Sequence, residues 1–167
     1  VYEAEILQKD AEIKALQSQI NPHFLYNTLS VIDSIATMKQ EKEISEITQM
    51  LADIFRYSTN GNDQATIEEE TGQLQRYLHI QKIRYGDGLK WQMIVDPSVR
   101  DCKVVKLLLQ PIVENAVTHG TRQSGMIRVV VLPKDGRLSI AVEDNGAGMS
   151  DEALAALIER LEAAPNR

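Results

Sequence analysis

The 167-residue sequence has one cysteine, few aromatic residues and no apolar run long enough to cross a bilayer. The lone Cys102 cannot form an internal disulfide, which fits a reducing compartment, and we interpret it as a small residue in or near a core. No signal peptide is recognisable at the start, so the chain itself is predicted to be soluble. With a net charge of -6 and no interleaved basic and aromatic patch, it is not expected to bind nucleic acid.

Hydrophobic residues make up 43% of the sequence, which is enough to build a core and argues against disorder. The length allows one compact domain with an appendage, or two small domains. Val1 enters a predicted helix without a start methionine, so we expect the chain to be part of a longer protein.

The most unusual stretch surrounds His23, which follows Pro22 inside an otherwise helical pattern. Pro22 lacks an amide hydrogen and crowds the carbonyl of Ser18, so the helix must kink there or restart. A restart is compatible with Asn21, a good N-cap residue, and with proline at the first helical position. Asn27 lies one turn beyond His23 on the same face, where its amide can hydrogen-bond whatever the imidazole carries. Because imidazole is a nucleophile near neutral pH, this arrangement is chemically usable.

The N-terminal part of the chain has the pattern of a helical hairpin. Ile6, Ile13 and Ile20 recur every seven residues within a predicted helix from about Tyr2 to Met38. A second helix ends at Asn60-Gly61, and its apolar face consists of Ile44, Ile47, Leu51 and Ile54. Two helices bury too little surface alone, so we predict a homodimeric four-helix bundle with Ile13 and Ile20 in its interface.

The remainder of the chain combines predicted helices and strands. A capping box at Thr66–Glu69 begins a third helix, which ends at Gly86, and Ser150 caps a fifth. A fourth helix is predicted over Lys106–His119, with a buried side made of Leu107, Leu108, Ile112 and Val113. The predicted strands are Leu89–Val95, Met126–Leu132 and Leu138–Val142, with a hairpin loop over 133–137. Helices packed against an antiparallel or mixed sheet make an α+β fold.

The stretch from Leu16 to Leu29, LQSQINPHFLYNTL, resembles the phosphoacceptor box of the LytS-like (autolysin-sensor) bacterial sensor histidine kinases. This resemblance implies that ATP phosphorylates His23, beside Asn27, and that the group then passes to an aspartate on a response regulator receiver domain. It further implies a membrane-embedded sensor N-terminal to this chain, which would then be the cytoplasmic portion of a protein anchored in the bacterial inner or plasma membrane. The alternative interpretation is a surface histidine at a helix kink.

Residues 110–120, QPIVENAVTHG, resemble the asparagine box of the same kinases. The resemblance implies that Asn115 offers a neutral oxygen to Mg²⁺ while the ion stays bound to phosphates and water. It also implies that His119 faces the phosphates of ATP; otherwise His119 is a helix C-terminal histidine favoured by the macrodipole. Glu114 is either a base toward a nucleophile or a solvated side chain.

Residues 142–149, VEDNGAGM, resemble the first glycine box of the ATPase superfamily that histidine kinases share with gyrase-type topoisomerases and Hsp90 chaperones. The resemblance implies that Asp144, at the end of a strand, accepts a hydrogen bond from the adenine amino group. It also implies that Gly146 and Gly148 let the backbone approach the base. The sequence contains neither a Walker loop nor a Rossmann turn.

These motifs divide the chain into a dimerisation and phosphoacceptor hairpin at 1–62 and an ATP-binding domain at 63–167. We interpret the chain as a histidine kinase core of the α+β class, with a dimeric four-helix bundle followed by an incomplete α/β-sandwich ATPase domain. Two alternatives remain open at this point. One is a non-catalytic dimerisation and signalling scaffold, and the other is a related superfamily ATPase or chaperone.

Three features depart from the family pattern. Val105 and Lys106 stand where a proline usually precedes the asparagine-box helix, which leaves the start of that helix less fixed. Phe24 follows the histidine where better-known kinases place an acid, so no adjacent general base is visible. The sequence stops at Arg167, before an expected second glycine box. We therefore expect this chain on its own to bind ATP poorly and to be weakly active or inactive.

Overall fold

The computed structural model describes residues 21–120 and 125–163 of the chain. The predicted seam of Ile6, Ile13 and Ile20, and with it the predicted interface, lies outside these residues. Within the described ranges, no helix is both long enough and apolar enough to cross a membrane.

Helix α1, Pro22–Met38, begins at the proline, as the restart alternative predicts. Asn21 is the N-cap, and its Oδ1 atom accepts hydrogen bonds from the backbone N–H groups of His23 at 3.1 Å and Phe24 at 3.3 Å. Pro22, at the first helical position, has no N–H that needs a partner. The sequence around the histidine therefore fixes the first turn of the helix that carries it.

Helix α2, Lys42–Thr59, folds back along α1 and completes the predicted hairpin. Near the turn between the helices, Asp33 of α1 accepts a hydrogen bond from Ser45 Oγ at 2.5 Å. At the opposite end, Tyr26 Oη lies 2.7 Å from Thr59 Oγ1. The antiparallel arrangement thus places the end of α2 beside the start of α1, where the histidine lies.

Helix α3, Ile67–Tyr85, begins at the predicted capping box and ends at a 3-10 turn over Gly86–Gly88. Thr66 Oγ1 accepts a hydrogen bond from the Glu69 N–H at 3.1 Å, and the Glu69 carboxylate accepts one from the Thr66 N–H at 2.7 Å. Each bond pairs a donor that the helix start would otherwise leave free. The Thr66 N–H, followed by the Thr66 hydroxyl, lowers the pKa of Glu69.

We expect Thr66→Ala to lower the free energy of unfolding by about 1 kcal/mol, because it removes the side-chain acceptor at the N-cap. Urea denaturation measures the difference. Thr37→Ala is the matched control, since Thr37 is exposed inside α1 and does not begin a helix. Equal losses for the two variants would contradict the role of the capping box.

Because the pKa of Glu69 is lowered in the folded state, its ionised carboxylate contributes to the free energy of unfolding. This contribution is present above the ordinary glutamate pKa and is lost as the pH falls through the lowered value.

The main sheet has three strands in the order β2-β4-β5. Strand β2, Leu89–Val95, runs parallel to β4, Gly125–Lys134. Strand β4 runs antiparallel to β5, Arg137–Asp144. The bounds of β2 are those predicted, whereas β4 and β5 extend further than predicted on both sides. The mixed sheet with its packed helices confirms the predicted α+β class.

The turn between β4 and β5 is shorter than the loop predicted over 133–137. Pro133 pairs with Leu138 inside the ladder, and only Asp135 and Gly136 form the turn. Both turn residues have positive φ angles, 52° and 72°, as a two-residue type I′ turn requires. Proline is tolerated at Pro133 because the pairing of β4 with β2 has already ended two residues earlier.

Two short strands were absent from the sequence-based prediction. Strand β1, Gln64–Thr66, pairs antiparallel with β3, Lys103–Val105, in a separate two-stranded sheet. Strands of this length carry too little periodic signal to be recognised in a sequence. A 3-10 helix at Pro97–Val99 lies in the connection that leads from β2 to β3.

The hydrophobic core lies between α3, the main sheet and a fourth helix, α4, Gln110–Gly120. Helix α4 packs against both β4 and β5. The largest fully buried side chains are those of Ile67, Leu74, Leu78, Leu89, Leu109, Val113, Ile127, Val129 and Val131.

Helix α4 begins four residues later than predicted, and its buried side differs from the predicted one. Leu107 has a φ of 61°, which is incompatible with a helix, so the segment before Gln110 forms a turn instead. Val113 is buried as predicted, whereas Leu108 and Ile112 are exposed, although they were predicted to be buried. The residues that α4 and its start bury are Leu109, Val113, Ala116 and Val117.

Two further observations concern single residues outside the core. Cys102 is exposed, contrary to its interpretation as a residue in or near the core. The backbone of Cys102 contributes to the structure, because its carbonyl accepts a hydrogen bond from the Ile67 N–H at 3.0 Å. The last described helix, α5, Asp151–Ala163, is capped as predicted by Ser150 Oγ, which accepts from the Ala153 N–H at 3.3 Å.

Candidate functional site

His23 is exposed in the first turn of α1. Asn27 lies one turn further along, and its Nδ2 atom is 3.4 Å from both Nδ1 and Nε2 of the imidazole. Two equal and long distances mean that the amide faces the ring without a strong bond to either nitrogen. The pairing predicted from the spacing is therefore present, and it leaves the ring accessible to an incoming group.

Cationic side chains lie at the same end of the hairpin. The Arg56 guanidinium is 5.9 Å from the centre of the ring of Tyr26, and Tyr26 lies three residues after His23. Lys106 Nζ donates to the Asn60 carbonyl at 2.5 Å and lies 5.0 Å from the centre of the Tyr57 ring. The Arg56 guanidinium is also paired with Asp53 Oδ1 at 3.0 Å, so its charge is partly balanced within α2.

A groove of about 820 Å³ separates the end of the hairpin from the segment that precedes α4. Pro22 and Leu25 contribute to one wall, and Phe55 extends it along α2. Val105 and Leu107 contribute to the opposite wall. The groove shows that the histidine-bearing end of the hairpin faces the entry to the asparagine-box helix.

The three candidate residues on α4 differ in exposure. Glu114 is half-buried, and its Oε1 atom accepts a hydrogen bond from Gln110 Nε2 at 2.8 Å. Asn115 and His119 are exposed and one helical turn apart, so they share a face of the helix. A ligand on this face can contact both side chains.

Asp144 is the last residue of β5, two residues beyond the end predicted for that strand, and its side chain accepts a hydrogen bond across a tight turn. Its Oδ1 atom accepts a hydrogen bond from the Gly146 N–H at 2.8 Å. Asn145 Oδ1 accepts from the Met126 N–H at 2.7 Å and thereby ties the loop to the start of β4. Gly148 has a φ of 69°, a conformation that favours glycine. Because α4 packs against β5, the helix with Asn115 and the strand that ends in Asp144 belong to one packed unit.

Glu70 is the residue of this region that the sequence-based prediction missed. Glu70 is only 3% exposed, although it is one of three acidic residues in the first turn of α3. The signal was present in the spacing, since Glu70 precedes the buried Leu74 by four residues and Leu78 by eight. A carboxylate on the buried face of a helix requires polar partners, and Glu70 has three hydrogen-bond donors.

Two family profiles match the chain in succession. One, described as "Histidine kinase", matches residues 11–89. The other, described as "Histidine kinase-, DNA gyrase B-, and HSP90-like ATPase", matches residues 101–166. The two profiles follow the order of the motifs, since the first includes the phosphoacceptor box and the second includes the asparagine and glycine boxes.

Several curated bacterial proteins are similar to nearly the whole chain. The sensor histidine kinase YesM of Bacillus subtilis is 40% identical over 157 residues, which is 91% of this chain and 27% of YesM. The sensor histidine kinase YpdA of Escherichia coli is 35% identical over 161 residues, or 92% of this chain and 27% of YpdA. The sensor protein LytS of Staphylococcus haemolyticus is 34% identical over 153 residues, or 89% of this chain and 26% of LytS. The chain thus spans about a quarter of the length of these relatives.

Proposed function

Because the chain belongs to the LytS-like sensor histidine kinase family, we propose that it transfers the γ-phosphoryl group of ATP to His23 and then to an aspartate of a response regulator receiver domain. The observation that carries this proposal is the exposed imidazole at the capped start of α1, with Asn27 beside it. We assign residues 1–62 to dimerisation and phosphoacceptance and residues 63–167 to ATP binding. We further propose that the chain acts on the cytoplasmic side of a membrane-anchored protein, where ATP and receiver domains are present.

In the first step, an unprotonated ring nitrogen of His23 attacks the γ-phosphorus of ATP. The bond between that phosphorus and the β–γ bridging oxygen breaks, ADP leaves, and the ring loses the proton of its other nitrogen to a base. We propose Glu114 as this base. Asn27 is 3.4 Å from either nitrogen, so its amide can yield to the phosphoryl group and then donate to one of the phosphoryl oxygens.

We propose Asn115 as the protein ligand of Mg²⁺. The described parts of the chain contain no group of three or more His, Cys, Asp or Glu that could hold a metal ion. Mg²⁺ does not need one, because it is usually bound by one or two protein oxygens together with phosphates and water. The exposed Asn115 amide offers one such oxygen, so the residues present fit this ion, which when bound neutralises charge on the phosphates. His119, on the same face of α4, is proposed to donate to a phosphate oxygen.

We propose that Asp144 recognises adenine. Its Oδ1 atom already accepts from the Gly146 N–H, and this bond orients the carboxylate. The other oxygen is then available to accept a hydrogen bond from the exocyclic amino group of the base. Gly146 and Gly148, which lack a Cβ atom, let the loop backbone lie close to the ring.

We propose a homodimer formed through the outer face of the hairpin. Helix α1 carries four apolar side chains that are largely exposed, Phe24 at 66%, Val31 at 58%, Ile35 at 46% and Met38 at 76%. Their spacing of seven, four and three residues places them in one stripe. A single hairpin leaves this stripe in water, and a second hairpin packed against it makes a four-helix bundle.

Changing Val31 and Ile35 together to Lys is expected to convert the dimer to a monomer at micromolar concentration, because two charges would be buried in the interface. Light scattering combined with size-exclusion chromatography measures the mass. The matched control is the pair Leu154→Lys and Ile158→Lys, which has the same spacing and similar exposure on α5. A dimer that survives the first pair, or is lost equally in the control, would place the interface elsewhere.

The experiment that tests the proposed reaction is transfer of label from γ-labelled ATP, in the presence of Mg²⁺, to a protein that extends this chain beyond Arg167, because the chain on its own is expected to be weakly active or inactive. The expected product is a phosphohistidine, whose N–P bond is labile in acid and stable in alkali. Subsequent addition of a receiver domain should move the label to an aspartate. Absence of label, or label that is stable in acid, would contradict the proposal.

A further inference from the structure

The buried Glu70 carboxylate connects three segments of the chain. Its Oε1 atom accepts hydrogen bonds from Tyr57 Oη of α2 at 2.5 Å and from the Leu107 N–H at 2.7 Å. Its Oε2 atom accepts from the Leu109 N–H at 3.2 Å. We call Tyr57, Glu70, Leu107 and Leu109 the Glu70 cluster. With three donors, the carboxylate has the partners that a buried charge requires.

One half of the cluster fixes the start of α4. The Leu109 carbonyl accepts the first hydrogen bond of the helix, from the Val113 N–H at 3.1 Å, so Leu109 occupies the N-cap position. A leucine side chain cannot cap a helix, but the Glu70 carboxylate from α3 accepts from the N–H of the N-cap residue Leu109, as the glutamate of a capping box does. Its negative charge also lies at the positive end of the α4 dipole. The bond to the Leu107 N–H holds this residue at its positive φ of 61°.

The other half of the cluster connects the same carboxylate to the hairpin. Tyr57 is half-buried near the end of α2, and burial together with the Glu70 carboxylate raises the pKa of Tyr57. The phenol therefore stays protonated and remains a hydrogen-bond donor. This end of α2 lies beside the start of α1, because Thr59 and Tyr26 are hydrogen-bonded. The carboxylate that caps the asparagine-box helix thus also binds the end of the hairpin that carries His23.

We propose that Glu70 and Tyr57 are positioning residues that set the asparagine-box helix against the phosphoacceptor end of the hairpin, so that ATP bound on α4 is presented to His23. The inference rests on the proposed function and adds residues that neither the motifs nor the family profiles assign. The two residues are proposed to act differently. Glu70 orients α4 itself and thereby affects ATP binding, whereas Tyr57 affects only the position of α4 relative to the hairpin.

The test compares Tyr57→Phe, Glu70→Gln and a control, Tyr85→Phe. Tyr85 packs against the core at the end of α3, so its variant also removes a phenol hydroxyl from a half-buried site, but outside the cluster. Two quantities are measured in the protein that extends this chain beyond Arg167, the dissociation constant of Mg·ATP by equilibrium titration and the first-order rate of His23 labelling at saturating Mg·ATP. Thermal unfolding of each variant is recorded alongside.

For Tyr57→Phe, we expect a dissociation constant within about twofold of wild type and a labelling rate lower by roughly tenfold or more, since a hydrogen bond to a charged group is lost. For Glu70→Gln, we expect the dissociation constant of Mg·ATP to rise and the labelling rate to fall, because a single amide oxygen cannot accept from all three donors. Tyr85→Phe should retain the wild-type values. A Tyr57→Phe rate that is unchanged or faster, or that falls in proportion to ATP affinity, would overturn the proposal.

The two proposals fail in different ways. If wild-type protein acquires no label on His23, the proposed function is wrong, and the cluster is then judged by hydrogen exchange. Glu70→Gln should speed exchange of the Leu107 and Leu109 amides by roughly tenfold or more, because both lose a charged acceptor. Exchange of these amides at the wild-type rate would by itself overturn the proposal that Glu70 holds the start of α4. If wild type is labelled and Tyr57→Phe is labelled equally fast, the function stands and the positioning role is wrong.

Discussion

His23→Gln should abolish phosphorylation of the protein while leaving ATP binding unchanged. Glutamine has a side chain of similar reach and polarity, but its amide nitrogen has no available lone pair, so it cannot attack phosphorus. The substitution should cost little packing, because His23 is exposed. Its side-chain contact with Asn27 Nδ2 is long, at 3.4 Å. The measurement is label from γ-labelled ATP retained after alkali treatment, together with an ATP titration of both proteins.

The control for this prediction is His79→Gln. His79 is exposed on α3, outside the regions that resemble the phosphoacceptor and nucleotide motifs. We expect His79→Gln to be labelled at the wild-type rate, with the label sensitive to acid. Label that persists in His23→Gln, or that disappears in His79→Gln, would contradict the assignment of His23 as the nucleophile.

Asp144→Asn should weaken ATP binding by roughly 10- to 150-fold, which corresponds to about 1.5–3 kcal/mol for a hydrogen bond to a charged group. The amide oxygen can keep the bond from the Gly146 N–H, so the turn itself should survive. What is lost is the second carboxylate oxygen, which becomes an amino group that opposes the amino group of adenine. Discrimination between ATP and GTP should decrease at the same time.

Asp96→Asn is a close control for this second prediction. Asp96 also follows a strand directly, and its Oδ1 atom accepts from the N–H two residues later, that of Ser98, at 2.8 Å. Asp96 therefore makes the same kind of backbone hydrogen bond as Asp144, although its Oδ1 atom also accepts from Ser98 Oγ, and it lies outside the three segments that resemble kinase motifs. We expect Asp96→Asn to bind ATP like wild type. Equal ATP titrations for Asp144→Asn and wild type would mean that Asp144 is only a turn residue.

Local chemistry explains why some elements could be predicted from the sequence. Asn21 before Pro22 specifies a helix start within three residues, and Thr66 with Glu69 specifies another. Asp135-Gly136 specifies a tight hairpin in the same way, although the length of the flanking strands does not follow from it. In each case the residues that determine the structure are neighbours in the chain, so the sequence contains the whole cause.

The start of α4 depends on one local signal and one distant one. The segment around Leu107 has an apolar pattern that continues the helix backwards, but Pro111 lacks an N–H and would crowd the Leu107 carbonyl in such a helix. The helix begins at Gln110, with Pro111 in its first turn, and a carboxylate from α3 binds the N–H groups of Leu107 and Leu109. This contact joins residues far apart in sequence, and it also decides which leucines are buried. A similar limit applies to the candidate site, because the spacing places Asn27 beside His23 but does not place Asn115 relative to Asp144.

The parallel pairing of β2 with β4 also bears on the order in which the chain folds. The hairpins α1–α2 and β4–β5 each close through a short turn, so their contacts are local and form early. Pairing of β2 with β4 must instead wait until the whole connection through β3 and α4 has been brought back to the sheet. The loop-closure entropy of that connection opposes the pairing until the core side chains of α4 are in place. The pairing of β2 with β4 is thus expected to be the last part to form, and a chain paused at that stage would hold two finished hairpins while the core between α3, the sheet and α4 is still open.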